Sequence, residues 1–173
     1  MLSPLRTVTL ANGLRVLIRP IRADDKAELQ RGLKRLSAET VYKRVLAAKP
    51  RLTSSELRYF TEVDNHDHIA LVAVELHFPH RIVGVARAVR LPDQPDMAEW
   101  AIVIADPLQG VGLGSRMIEM LADAAKSVGI RRFTATMLTD NEPVHRLLAR
   151  ISDRLERDTR HGPTHEVVVG LAA

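Results

Sequence analysis

The stretch that most constrains this chain runs Ala98-Glu99-Trp100-Ala101-Ile102-Val103-Ile104-Ala105, then Asp106-Pro107-Leu108, then Gln109-Gly110-Val111-Gly112-Leu113-Gly114-Ser115. Its apolar half is continuous, as in a strand covered on both faces. After the alternating glycines, Leu113, Met117, Leu121, Ala124 and Val128 recur at three- and four-residue spacing, which predicts a long amphipathic helix. Gly129 stands where a helix-ending glycine belongs. Arg132-Phe133-Thr134-Ala135-Thr136-Met137 follows as another strand. Strand, helix and strand in that order predict a right-handed parallel crossover. A sheet that contains a parallel pair at this point therefore needs helices to cover it.

The flanking segments supply the rest. Asn12-Gly13 lies between alternating runs at residues 7–10 and 14–18 and predicts a hairpin. Asp24 or Asp25 is placed to cap a helix carrying Leu29, Leu33 and Leu36. Ser37-Ala38-Glu39 opens a second helix through Tyr42, Val45 and Leu46, and Ser54 or Ser55 a third with Leu57 and Phe60. Two β-rich runs, residues 68–76 and 81–90, are joined by a link short enough to pair them antiparallel. Pro143 suits the first turn of a helix through Val144, Leu147, Leu148 and Ile151. Val167-Val168-Val169 is the last strand, beside Arg154-Leu155-Glu156-Arg157. The expectation is one α/β (α+β) domain over residues 1–173, with a mixed, mostly antiparallel sheet of six to seven strands and helices on both faces.

Composition narrows the chemistry. With no cysteine, disulfides, Cys-ligated metals and thiol nucleophiles are excluded. No apolar run reaches about 18 residues, so no membrane span is expected. Residues 1–6 lack the apolar core of a signal peptide, which makes a cytoplasmic protein the expectation. The 25 Lys+Arg against 21 Asp+Glu favour an anionic ligand mildly. Three Phe, two Tyr and one Trp are too few stacking platforms for a single-stranded nucleic-acid binder, so no nucleic-acid partner is expected. Asp64-Asn65-His66-Asp67-His68 carries ligand-type side chains, but a polar turn before a strand explains it equally well. His161 and His165 are separated by Gly162-Pro163, which breaks the helical spacing of a two-histidine metal site, and no metal is expected.

The glycine loop is the candidate for chemistry. Alternating glycines let backbone approach a ligand and aim successive N–H groups outward, at a helix N-terminus that adds about half a positive charge. It is neither a Walker A loop, since no Lys-Ser/Thr follows, nor a dinucleotide fingerprint, since the spacing is Gly-x-Gly-x-Gly. A purely structural turn is the alternative.

Gln109-x-x-Gly112-x-Gly114, after a buried strand and an Asp106-Pro107 step, resembles the CoA-binding signature of the GNAT N-acyltransferase superfamily. Arg19-Pro20-Ile21-Arg22-Ala23-Asp24-Asp25, residues 36–42, Val83-Gly84-Val85-Ala86-Arg87 and residues 98–106 are similar to bacterial Pat-type protein lysine acetyltransferase domains. The resemblance implies acetyl-CoA as co-substrate. It implies backbone contacts to the pantetheine arm around Val103 and Ile104. Gln109, Gly110, Val111, Gly112, Leu113, Gly114 and Ser115 would hold the pyrophosphate, and Asn141 would contact CoA. Glu99 would be the general base, and a strand N–H near Val103 would meet the oxyanion.

A lysine amine with pKa near 10.4 costs roughly 4 kcal/mol to expose as a nucleophile at neutral pH, which is why a base is needed. Each assignment has a structural counterpart. Glu99 can be a carboxylate paired with an arginine, and Asn141 can cap the helix at Pro143. Tyr42 reads as packing, His145 as a rim residue, Arg146 and Arg150 as a solvated face, and Arg116 as a phosphate contact. Many family members carry a tyrosine general acid seven residues after the asparagine, where this chain has Leu148, and the usual Gly-Phe after the last helix is replaced around Ile151-Ser152. No cyclic-nucleotide-binding module and no synthetase-like region occurs within these residues. The expected activity is transfer of acetyl to a protein lysine ε-amine. Alternatives are a small amine acceptor (polyamine, aminoglycoside or amino acid) and a non-catalytic acyl-CoA-binding regulatory module.

Overall fold

The structure, a computed structural model, describes residues 5–45 and 51–173; the side chains of Tyr42 and Val45 and the whole of Leu46 lie outside the described residues. Among those residues, strands β1 (Arg6–Thr9), β2 (Arg15–Pro20), β3 (His68–Glu75), β4 (Ile82–Leu91), β5 (Gln94–Ile104), β6 (Arg132–Leu138), β7 (Ser152–His161) and β8 (Thr164–Leu171) form one sheet. Their order is β1-β2-β3-β4-β5-β6-β8-β7. Every neighbouring pair is antiparallel except β5 and β6, the crossover that the glycine-loop segment predicts. The helices are α1 (Lys26–Arg35), α2 (Ala38–Val45), α3 (Ser54–Thr61), α4 (Leu113–Ser127) and α5 (Glu142–Ile151).

The sheet has eight strands rather than six to seven. The eighth is β7, SDRLERDTRH, exposed along nearly its whole length; residues 154–157, expected beside the last strand, lie within it. Without an apolar period of two its length is not readable from hydrophobic patterning, and its ladder with β8 runs from Ser152 to His161.

Alternation along the central strands builds two cores. Ile69, Leu71, Ala86, Ala88, Trp100, Phe133 and Val169 face α4, which contributes Leu113, Met117 and Leu121. Ala70, Val72, Val74 and Val85 face the other way, against Leu29 of α1 and Val63. Burial on both faces accounts for the unbroken apolar runs of β3 and β4. Gly84 on β4 admits α4 closely: a Cβ there would lie 2.7 Å from Met117 Sδ.

One local expectation changes in detail. Asp25 precedes α1 but makes no side-chain cap; its carboxylate takes the Arg19 guanidinium at 2.7 and 2.8 Å and the Arg22 N–H at 2.8 Å. Burial opposes its ionisation, yet the hydrogen bonds from Arg19 and Arg22 hold its pKa below the ordinary value. α3 begins at Ser54, as expected, and Thr53 caps it in a reciprocal box with Glu56. Asp64 Oδ1 accepts the N–H groups of His66, Asp67 and His68, making the polar turn before β3. His68 Nε2 meets Arg87 Nη1 at 3.0 Å, and the Arg87 guanidinium lies 4.4 Å from the Phe60 ring centroid. Burial first, and the Arg87 charge second, push His68 down to about 4.

Candidate active site

β5 and β6 pair only from Met97↔Arg132 to Glu99↔Thr134. Beyond that point β5 stays on β4 as far as Gly84↔Ile104, while β6 follows β8. The strands splay and open a cleft of about 1130 Å³. Trp100, Ile102, Ile104, the glycine loop, Met137, Asn141 and Leu147 are among the residues that line it.

Backbone parity decides which groups β5 presents there. Asp96 C=O accepts from Arg131 N–H on the β6 side at 2.7 Å, and Ala105 N–H donates to Val83 C=O on the β4 side at 2.9 Å. Successive amides of a strand point to opposite edges, so Ile102 and Ile104 turn their N–H and C=O groups toward the cleft. Val103, expected to offer its backbone there, directs it into the β4 ladder instead and packs its side chain in the opposite core. Ile102 takes its place. The same parity makes Ile102 or Ile104 the strand N–H, expected near Val103, that faces the cleft.

The glycine loop adopts the conformation that needs glycine at two positions, Gly110 with φ +77° and Gly112 with φ +93°. Gly112 is the N-cap of α4, and Arg116 N–H donates to Gly112 C=O at 3.3 Å. Helix geometry leaves the amides of Leu113, Gly114 and Ser115 without intrahelical acceptors. Val111 C=O accepts from Ala11 N–H, 3.2 Å away at the tip of the β1–β2 hairpin. Across a trans peptide this turns the Gly112 N–H away from the hairpin. The side chains of Val111 and Leu113 pack into the core, so only their backbones remain for a ligand. Gly110, Gly112, Gly114 and Ser115 line the cleft. Gln109 lines it too, but its side chain reaches back: Nε2 donates to Ile104 C=O at 3.0 Å and to Thr40 Oγ1 at 3.2 Å.

Asn141 is buried at the N-cap of α5, yet its side chain makes no capping hydrogen bond and the residue lines the cleft. Glu99 is exposed where the splay begins, in register with Val89 and Thr134. Among the described residues its carboxylate has no hydrogen bond or ion pair, so the expected alternative of an arginine partner finds none there. Leu148 is buried in the core facing α4.

Charge is arranged differently from the expectation. Arg116 pairs with Glu119 at 3.6 Å and does not line the cleft. Arg146 and Arg150 do, with Arg150 held by Glu119 at 2.7 Å. The stripe of Val144, Leu147, Leu148 and Ile151 leaves 146 and 150 at the edge of α5 nearest α4, a placement legible only once the helices are docked. His145, expected at the rim, packs on His165 with ring centroids 4.9 Å apart, and His165 Nδ1 meets Asp158 at 2.9 Å. Sequence reasoning also missed Ser37, Thr40 and the side chain of Asp106, which gather beside the cleft.

Comparison with known proteins places this arrangement. Residues 29–152 match the acetyltransferase (GNAT) family. The GNAT domain of S. lividans PAT superposes with a TM-score of 0.84 at 27% identity, covering 96% of this chain and 97% of that one. Acetyltransferase Pat of Mycolicibacterium smegmatis is 34% identical over 134 residues, which are 78% of this chain and 40% of that protein. The chain thus spans less than half the length of that relative. Acetyltransferase PA5475 of Pseudomonas aeruginosa is 28% identical over 151 residues, 87% of this chain and 81% of that one. The chain belongs to the GNAT family of acetyltransferases.

Proposed function

We propose that this domain transfers acetyl from acetyl-CoA to a primary amine, with a protein lysine ε-amine as the acceptor. The observation that carries this reading is the splay of β5 from β6. It leaves the backbone of Ile102 and Ile104 facing a cleft that runs from the unpaired N-terminal amides of α4 to the carboxylate of Glu99. Pantetheine is a chain of amides that needs strand-like partners, and a pyrophosphate needs N–H groups and positive potential; both are supplied along one groove. Asn141, free of capping duty, adds a side-chain contact.

In the reaction the acceptor nitrogen attacks the thioester carbonyl carbon, and the C–N bond forms as the carbonyl becomes an oxyanion. Glu99, directly or through one water, accepts the proton that the ammonium must lose, a task worth roughly 4 kcal/mol for lysine at neutral pH. A cleft-facing strand N–H, from Ile102 or Ile104, is available to the oxyanion. Collapse expels CoA thiolate, and the nitrogen, cationic after attack, releases its second proton to solvent as the amide forms. Leu148 has no proton to give, so the thiolate leaves as the anion and takes its proton from solvent. The resemblance to Pat supports a lysine of a protein rather than a small amine.

Acetyl-CoA titration by calorimetry tests the site, with Gly112→Asp as the control that sets a carboxylate against the pyrophosphate. Binding that the control abolishes is expected; no binding, or binding indifferent to the control, returns the loop to a structural turn. Glu99→Gln, with lysine acetylation of a cell lysate read by mass spectrometry, tests the base. A rate lowered by about 10²–10⁴ is expected, and an unchanged rate on every accepted substrate refutes it.

A further inference from the structure

Two hydroxyls and one amide from the first turn of α2 converge on a single carboxylate in the β5–α4 connection. Asp106 Oδ1 accepts from Ser37 Oγ and from Thr40 Oγ1, both at 2.7 Å, and Oδ2 accepts from Ser37 N–H at 3.0 Å. Burial resists ionisation of this carboxyl, but the Ser37 and Thr40 bonds outweigh it and hold its pKa below the usual value. Its negative charge also suits the N-terminus of α2. Thr40 Oγ1 in turn accepts from Gln109 Nε2, and the same nitrogen donates to Ile104 C=O, a carbonyl that β5 turns toward the cleft. A continuous path of hydrogen bonds therefore runs from α2, which lies against β5 and β6, to the strand carbonyl where a cofactor amide would dock.

We propose that Asp106 is a positioning residue. Through Ser37 and Thr40 it fixes the first turn of α2 beside the cleft, and through Gln109 it makes that turn responsive to cofactor occupancy. This rests on the acetyl-CoA reading above. A pantetheine N–H that takes the Ile104 carbonyl displaces one of the two N–H groups of Gln109 Nε2 and leaves the carboxamide anchored on Thr40 only. The Thr40 bond, 3.2 Å while Gln109 is held at both acceptors, can then shorten, and the first turn of α2 tightens before an acceptor arrives. Asp106 so links the two substrates' sides of the cleft without touching either.

The test is hydrogen exchange of the amides of residues 38–45, without and with saturating acetyl-CoA, beside calorimetric affinities of the same samples. In the native protein, acetyl-CoA should slow exchange there by about 2- to 10-fold, the effect of one hydrogen bond. Asp106→Asn turns an NH₂ toward the Ser37 N–H. It should still bind acetyl-CoA, while the ratio of free to bound exchange rates falls to about one. Gln109→Ala keeps the Asp106 clamp but removes the link to Thr40, so it should leave α2 folded and somewhat less protected when free, and abolish the cofactor response at acetyl-CoA concentrations that calorimetry shows to saturate that variant. That variant decides the matter if Asp106→Asn unfolds α2 outright. A native protein that does not bind acetyl-CoA overturns the acetyltransferase reading and this proposal together. Binding without a change in residues 38–45, or a response that survives in Gln109→Ala, overturns the proposal alone.

Discussion

The glycines of the α4 loop are expected to separate stability from ligand response when replaced one at a time by alanine. Gly112 has φ +93°, and no atom lies within 4 Å of an added Cβ, so Gly112→Ala is a pure backbone perturbation. An L side chain in the left-handed region costs roughly 1–2 kcal/mol. In a domain of this size that lowers Tm by about 2–8 °C. Gly114 is different. It lies in the first turn of α4 with ordinary φ, and an added Cβ would meet the Leu147 methyls at 3.6 Å and Ile104 Cγ1 at 3.8 Å, normal contacts. Replacing a helical glycine by alanine gains up to about 1 kcal/mol, so the ligand-free Tm should rise by about 1–4 °C. Yet that Cβ projects toward Leu147 and Ile104, both walls of the cleft the cofactor must occupy. At a hundred times its Kd, acetyl-CoA stabilises the native protein by about 2.7 kcal/mol, a Tm rise of about 5–11 °C. Gly114→Ala should lose much of that rise while being the more stable protein without ligand. Scanning calorimetry of both variants, free and liganded, is the assay. A Gly114→Ala protein that melts lower than native when free, or keeps the whole ligand shift, refutes this account of why glycine stands there.

Other outcomes follow from the same geometry. His68, held at about 4 against an ordinary 6.5 by burial and then by Arg87, binds its proton more readily in the unfolded chain. Its contribution to stability is complete above 6.5 and is lost as pH falls toward 4. Discounted for the half-exposed ring, it amounts to about 1–2 kcal/mol. Urea titrations between pH 7.5 and 4.5 should show a shallower pH slope for His68→Gln than for the native protein, and equal slopes would refute the assignment. Asp25→Asn strands the buried Arg19 charge and should cost about 3–5 kcal/mol, whereas removing both partners with Arg19→Met and Asp25→Leu should cost less. Denaturant midpoints of the three proteins decide this. Arg146 lines the cleft with no acidic partner among the described residues, so Arg146→Ala should weaken acetyl-CoA binding about three- to fivefold at low salt. Salt titration of the native protein should erase that difference.

What could be read in advance depended on how local the signal is. The strand–glycine–helix–strand segment carries its own periodicities and turn chemistry, so the parallel crossover and the loop at the cleft were legible. Glu99 was legible because a carboxylate in an apolar strand stands out from its neighbours. Val103 and Ile102 could not be distinguished, since which edge of a strand an amide faces is set by its partner's register and not by its own side chain. Asp106 reads as half of a proline step; its three donors come from 66 to 69 residues away. Asp25 carries the signal of a helix cap, and a buried arginine on β2 overrides it. The polar β7 has no apolar rhythm, so only its residues 154–157 could be set beside the last strand in advance, and its ladder shows the rest.

The tip of the β1–β2 hairpin has a consequence for anyone modifying this protein. Ala11-Asn12-Gly13 is an exposed turn, the kind of place where tags, insertions and new termini are usually tolerated. Here the Ala11 amide holds the Val111 carbonyl and so sets the orientation of the Gly112 peptide. A graft at that turn would disturb the Val111–Gly112 peptide of the α4 loop, the proposed phosphate cradle, about a hundred residues along the chain.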